Sequence, residues 1–270
     1  MNDSVSRIET RGVVKQFGGL RHPKVLAVDR VSFQIHEGEF VALIGPSGCG
    51  KSTLLNIIAS LIPFNEGEVF IDKNNIRYGD LLPKNVGYVF QKDTVFPWRT
   101  VRKNIGYGLE LNGKDKALID KAVQEVIQKS GLEGFEDAYP LMLSGGMRQR
   151  VALMRTLILK PEILLMDEPF GALDTHTKLI MHRLLLEIWE KEKQTVLFVT
   201  HDLGEALTLS DRIIVLSARP GALKEVFEVD FPRPRDAVSL RETQEYSKLF
   251  SEIWHCLGEE FRKSSSFALN

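Results

Sequence analysis

Along the first 45 positions the apolar residues fall into strand-length groups. Ile8 to Val14 and Val25 to Ile35 read as strands, the second with interrupted alternation, and Phe40 to Ile44 is an unbroken apolar run. Period two predicts strands covered on one face, and a short unbroken apolar run predicts a strand covered on both. A mostly apolar, helix-length stretch from Ser52 to Ile62 follows at once, with glycines in between. Strand, glycine loop, helix is the order an α/β phosphate site requires.

A second short strand is predicted from Val86 to Phe90, after which the pattern turns helical, most clearly from Asp115 to Ser130 and from Gly145 to Leu159. The latter leads into the strand Ile163 to Met166, so residues 92 to 160 are expected as a helical insert in a mixed core. Helix Thr177 to Glu190 and strands Thr195 to Thr200 and Arg212 to Leu216 continue that core. Phe231-Pro-Arg-Pro-Arg235 cannot be helical at its prolines. Beyond it Tyr246, Leu249, Phe250, Ile253 and Leu257 sit at helical spacing, which predicts a terminal amphipathic helix packed on the core. The expected organisation is a main domain over 7–230 and a C-terminal linker and helix over 231–270.

Composition narrows the function classes. A hydrophobic share of 43% and a charged share of 26% are those of an ordinary folded domain, not of a disordered chain. With 35 basic against 36 acidic residues the net charge is −1, so no global field recruits nucleic acid or an anionic membrane surface. No stretch reaches the roughly 18 apolar residues of a membrane span, and MNDSVSRIETRG has no signal-peptide core. The expectation is a cytoplasmic chain. Its two cysteines, Cys49 and Cys256, and six histidines support neither a disulfide framework nor a zinc site.

Three motifs carry chemistry. Gly45-Pro46-Ser47-Gly48-Cys49-Gly50-Lys51-Ser52, followed by Thr53, matches G-x-x-x-x-G-K-[ST] between a strand and a helix. Its backbone N–H groups can cradle phosphates at a helix N-terminus, Lys51 can reach the β- and γ-phosphates, and the Ser52 hydroxyl can ligate Mg²⁺. Cys49 reads as a small bystander. Ile163-Leu164-Leu165-Met166-Asp167-Glu168-Pro169 ends an apolar strand in paired carboxylates, Asp167 for the Mg²⁺ shell and Glu168, one residue on, to polarise an attacking water. Leu143-Ser144-Gly145-Gly146-Met147-Arg148-Gln149-Arg150 opens a helix with Ser144 as N-cap, a second anion site that one nucleotide has no use for.

Together these motifs strongly resemble the ATP-binding subunit of ATP-binding cassette (ABC) transporters, over about residues 7 to 220. The resemblance implies a RecA-like P-loop NTPase core with a mixed sheet, an antiparallel β part at the N-terminus and a helical subdomain insert. It also implies ATP and Mg²⁺ as cofactors, and a head-to-tail dimer. Each ATP is then sandwiched between the loop Gly45 to Thr53 of one copy and the signature Ser144 to Met147 of the other. By the same resemblance Gln91 senses Mg²⁺ and the γ-phosphate, Asp174 crosses the dimer interface, and His201 contacts the γ-phosphate. Phe17 resembles the aromatic that stacks on adenine, a core phenylalanine being the alternative. Met147 departs from the family's usual Gln, which removes a side-chain polar contact but leaves the backbone donors of Gly145 and Gly146.

Phe96-Pro97-Trp98, the Met-Arg-Gln-Arg extension and Pro232-Arg-Pro-Arg235 look like the subfamily that drives nitrate, sulfonate and taurine importers. That implies transmembrane permease subunits as partners, an extracytoplasmic solute-binding protein indirectly, no nucleic acid, and a peripheral place at the cytoplasmic face of the inner membrane. Each of these softer motifs has a plainer alternative: a packed turn for Pro-Trp and a solvated linker for the Arg-Pro repeat. An exporter subunit, a soluble non-transport ABC ATPase and a P-loop small-molecule kinase are the competing functions. The last has no use for the Ser-Gly-Gly signature or for His201.

Overall fold

The computed structural model of the protein describes residues 5–19, 22–83 and 85–267. In chain order the elements are β1 (Ser6–Gly19), β2 (His22–His36), β3 (Phe40–Ile44), α1 (Lys51–Ile58), β4 (Glu66–Ile71), β5 (Asn74–Asn75) and β6 (Val86–Val89). The helices α2 (Val101–Ile105), α3 (Tyr107–Leu111), α4 (Lys116–Lys129) and α5 (Gly145–Leu157) come next, then β7 (Ile163–Asp167) and α6 (Thr175–Glu192). The chain closes with β8 (Thr195–Val199), α7 (Leu203–Leu209), β9 (Arg212–Leu216), β10 (Leu223–Glu228) and α8 (Gln244–Phe267). They form two compact units, one built from the segments up to residue 84 and from residue 193 onward, the other from residues 85–192.

The first unit holds two sheets. One is antiparallel, in the order β2-β1-β4-β5. It covers its inner face with Ile8, Val13, Phe33, Ile35, Val69 and Ile71. Both strands run further than expected, β1 on to Gly19 and β2 back to His22, and they pair as a hairpin, while Leu20 and Arg21 lie outside the described residues. No strand is predicted at β4, because Glu66, Gly67 and Glu68 are exposed and only Val69 and Ile71 carry the period. The other sheet is mixed. β3 runs parallel to β8 on one side and to β9 on the other, and β10 closes the β9 edge antiparallel. Every residue of β3 and β8 is buried, as unbroken apolar runs require, and Phe40 meets Phe198 edge to face at 6.1 Å.

Helix α1 stops at Ile58, four residues short of the expected end, because Ser60 adopts φ 60° and Pro63 follows. At the far end α8 is seated by Tyr246, Ile253 and Leu257, as the helical spacing predicts. Glu260, 1% exposed, adds a polar anchor. Its carboxylate accepts from the Ala218 N–H at 2.8 Å, Lys224 Nζ at 3.0 Å and Lys263 Nζ at 2.7 Å. Burial alone pushes this carboxyl up, yet the bonds from Lys263, Ala218 and Lys224 hold it at about 2. The Arg-Pro repeat is no solvated linker. Arg235 is buried and donates to the carbonyls of Ser210, Val229 and Phe231, and Arg233 pairs with Asp211 at 2.6 Å.

In the second unit β6 and β7 run parallel, from Val86 opposite Ile163 to Val89 opposite Met166. Four helices, α2 to α5, fill the stretch between them. Fully buried Asn104 ties the 96–100 loop to α2, accepting from the Phe96 N–H at 2.7 Å and donating to the carbonyls of Phe96, Arg99 and Thr100. The Phe96 ring packs on Tyr107 at 4.8 Å, while Trp98 stays 71% exposed, so it is not part of this unit's core. Among the described residues no helix is long and apolar enough to cross a membrane.

Candidate functional site

In the first unit the glycine-rich loop leaves the carboxyl end of β3, in the middle of a parallel set, where α/β sheets place their ligands. Gly50 caps α1 with φ 104°, and a Cβ there would lie 2.7 Å from the Ala27 carbonyl, so only glycine lets the loop turn inward. Lys51, the first residue of α1, is 6% exposed. Its amine donates to the carbonyls of Gly45 at 2.8 Å and Pro46 at 3.0 Å, with the Cys49 thiol at 3.9 Å. Burial, more than any other influence, raises the Cys49 pKa, so the thiol stays neutral and suits the bystander reading. A buried ammonium whose loop partners are all neutral, at the head of a helix, fits a phosphate group. Ser52 and Thr53 follow in the first turn of α1, and Ser47 and Gly48 form the outer bend of the loop.

His201 follows Thr200 at the carboxyl end of β8, the parallel neighbour of β3, with Leu43 opposite Val199, so it emerges on the edge that carries the loop. The Thr200 hydroxyl donates to Glu205 at 2.6 Å and accepts from the Asp202 N–H at 3.0 Å, while Asp202 caps α7 through the N–H groups of Gly204 and Glu205. Phe17 lies on β1 opposite Val25 and is 43% exposed, with Lys15 Nζ 4.7 Å from its ring centre. It is not a core phenylalanine.

In the second unit the register of β6 and β7 decides the geometry. Val89 pairs with Met166, so Gln91 and Glu168, each two residues further on, leave on the same edge. The Gln91 amide donates to Glu168 Oε2 at 3.2 Å. Asp167 closes β7 and is 5% exposed. Burial first, and then the Asp167 charge, push the Tyr88 phenol well above its usual range. The Asp167 carboxylate is an oxygen donor of the kind Mg²⁺ takes.

Ser144 caps α5, its hydroxyl accepting from the Met147 N–H at 3.2 Å, and the first turn with Gly145, Gly146 and Met147 is partly open to solvent. Asp174 caps α6 by accepting from the Thr177 hydroxyl at 2.6 Å and its N–H at 3.0 Å. Those bonds, the hydroxyl's first, lower its pKa.

Gly221 lies outside the motifs, and Gln149 lies within one of them with no role assigned, yet both support the site. The backbone of Gly221 presses on the loop so closely that a Cβ would lie 1.9 Å from the Cys49 carbonyl, and its N–H donates to the Ala27 carbonyl at 3.0 Å. Gln149 is 3% exposed on the buried side of α5, four residues before Leu153. A polar residue on a buried helix face was the available signal.

The ABC transporter family profile matches residues 28–171. The chain is 48% identical over 258 residues to an uncharacterized ABC transporter ATP-binding protein of Methanocaldococcus jannaschii, covering 96% of this chain and 93% of that protein. It is also 48% identical over 215 residues to the aliphatic sulfonates import ATP-binding protein SsuB of Bacillus cereus, covering 80% and 83%. A dimeric bacterial ABC transporter cassette superposes with a TM-score of 0.74 at 35% identity over 83% of this chain and all of that one. A dimeric post-hydrolysis cassette bound to ADP and Pi gives 0.73 at 34%, with the same coverage. The core is that of a P-loop NTPase, and the chain belongs to the ABC transporter family as one of its ATP-binding subunits.

Proposed function

We propose that this ATPase powers an importer and works as a homodimer, two copies head to tail. Each ATP is held between the loop Gly45 to Thr53 of one copy and the first turn of α5, Ser144 to Met147, of the other. Dimeric cassettes among its structural relatives support this pairing. The observation that carries the reading is the Gln91–Glu168 hydrogen bond on the edge where β7 delivers Asp167.

In this reading Lys51 gives up its loop carbonyls for the β- and γ-phosphates, while Phe17 offers its exposed face to adenine. Ser52, Asp167 and Gln91 would hold Mg²⁺, which would supply positive charge to neutralise the phosphates. Glu168 accepts the proton of the attacking water, Gln91 orients the Glu168 carboxylate, and His201 binds the γ-phosphate. Asp174 reaches the partner copy. The products are ADP and free phosphate, which separates this function from that of a small-molecule kinase.

The subunit sits at the cytoplasmic face of the membrane beneath permease subunits, which an external solute-binding protein loads. The solute class is a small organosulfonate. Relatives named as aliphatic sulfonate importers, at 46–49% identity, support it. The test is uptake of taurine or an alkanesulfonate by the complex of this chain with its permease in ATP-loaded vesicles. Uptake that depends on internal ATP supports the reading, and a complex driven by nitrate but not by any sulfonate overturns the solute assignment.

A further inference from the structure

The buried amide of Gln149 brackets the turn that carries Glu168. Its Nε2 donates to the Glu168 carbonyl at 3.2 Å, and its Oε1 accepts from the Ala172 N–H at 2.8 Å. The same carbonyl also accepts from the Gly171 N–H at 3.1 Å, and the Phe170 carbonyl accepts from the Leu173 N–H at 3.1 Å. Glu168 needs such support. Its φ is 45°, in the left-handed region that a side chain with a Cβ adopts at a cost. That backbone turn aims the Glu168 carboxyl at the Gln91 amide, so whatever fixes the Glu168 carbonyl also fixes where the carboxylate lies.

Gln149 belongs to α5, whose first turn packs on the same segment. A Cβ at Gly146 would lie 3.2 Å from Leu173 Cδ2 and 3.3 Å from the Ala172 carbonyl. One buried side chain therefore joins the helix that starts at Ser144 to both ends of the 168–172 turn, and a glycine one turn earlier lets helix and turn meet. Both of its hydrogen bonds run to backbone atoms, so they hold a conformation and touch no substrate.

We infer that Gln149 is a positioning residue for hydrolysis: it ties the strained backbone of Glu168 to the helix that begins at the Ser-Gly-Gly signature of the same subunit. The inference rests on the proposed role of Glu168 as the base. Two substitutions separate the bonds from the volume. Gln149→Met keeps length and bulk without either hydrogen bond. Gln149→Glu keeps an acceptor for the Ala172 N–H and sets a second oxygen against the Glu168 carbonyl.

The experiment measures kcat and KM for ATP hydrolysis, the dissociation constant for Mg-ATP, and the melting temperature, on the full chain carrying Gln149→Met, Gln149→Glu or Glu168→Gln. The expected result is a kcat lower by roughly ten- to a hundred-fold in both Gln149 variants, as small misplacements of a reacting group produce. KM and affinity for Mg-ATP stay near wild type, while the melting temperature falls by a few degrees, more in Gln149→Glu, because buried hydrogen bonds are unmade. Wild-type kcat in Gln149→Met overturns the inference. So does a loss of affinity and melting temperature in step with kcat, which marks a merely structural residue. An active Glu168→Gln overturns the role of the base itself, whereas an inactive Glu168→Gln beside fully active Gln149 variants overturns only the positioning role.

Discussion

Gln91 and Glu168 lie 77 positions apart in the chain, yet the amide of one donates to the carboxylate of the other at 3.2 Å. The contact follows from the parallel pairing of Val89 with Met166, which sends both chain segments out of the same sheet edge. A neutral donor on a carboxylate orients it without taking its charge, so Glu168 keeps a lone pair for a proton.

Glu168→Gln keeps the shape and loses the proton acceptor. Turnover should fall by about a hundred-fold or more, as the loss of a general base implies, while Mg-ATP still binds. The trapped ATP should hold two copies together, so size-exclusion chromatography with Mg-ATP should show a dimer. A strictly monomeric, ATP-bound variant would count against the head-to-tail sandwich. Asp167→Asn should differ by weakening Mg²⁺ binding itself.

Lys51→Ala removes the buried amine from the loop without touching β3. Hydrolysis should be abolished and the circular dichroism spectrum retained. The lost contacts are to the Gly45 and Pro46 carbonyls of the loop and not to β3, so the cost falls on phosphate binding rather than on the core. Near wild-type turnover with an unchanged spectrum would refute the assignment.

The lysine loop, the paired carboxylates and the capped Ser-Gly-Gly turn were legible in the sequence because each is local: the chemistry and the backbone demand lie within eight residues. Contacts made by register were not. Nothing in the neighbourhood of Gln91 tells that Glu168 will face it, and nothing around Pro220 tells that Gly221 will press on Cys49. Three strands escaped: β4 with Val69 and Ile71 and β10 with Phe227 because their apolar period is too short, and β5 because Asn74–Asn75 has no apolar residue. Helix α7 escaped for the opposite reason. All seven of its residues are buried, so no polar face sets a helical period against the apolar one.

Acid should loosen the seat of α8. Glu260 titrates at about 2 in the folded chain against roughly 4.3 when unfolded, so its ionised form stabilises the fold. That contribution is complete above the unfolded value and is lost as pH falls from about 5 toward 2. Glu260→Gln should lower stability by about 1–3 kcal/mol at pH 7, the usual cost of unmaking buried hydrogen bonds to a charged group. Urea melts across pH should show the gap between variant and wild type closing toward pH 2.5, and a gap that stays constant would show that the carboxylate's charge is irrelevant.

Ser144 should serve the partner's nucleotide. The proposed function gives one chain two places for anions, the loop with Lys51 and the partly exposed first turn of α5. Mixing a Lys51→Ala subunit with a Ser144→Arg subunit places both lesions in one composite site and leaves the other intact. Hydrolysis in the mixture should rise above that of either variant alone. A mixture no more active than its parts would mean that the signature acts in cis or that the two sites must fire together.

In the proposed importer, closure of the dimer must be passed on to the membrane subunits. Trp98 stands seven residues after Gln91, and the loop between is stiffened by Pro97 and clamped by Asn104, whose side chain bonds Phe96 at both its N–H and its carbonyl. A shift at Gln91 therefore moves a braced loop rather than a slack one. Phe96 is tied inward through Tyr107 and Arg155, whereas Trp98, with 71% of its surface exposed, meets the Phe96 ring at 5.6 Å. Large exposed aromatics are frequent anchors of interfaces, and a permease subunit is the partner the proposed function requires. Trp98→Ala should leave the ATPase activity and melting temperature of the isolated chain near wild type while lowering assembly with the permease and ATP-driven uptake. Loss of both ATPase activity and melting temperature before any membrane partner is added would show that Trp98 braces the helical unit instead of coupling it.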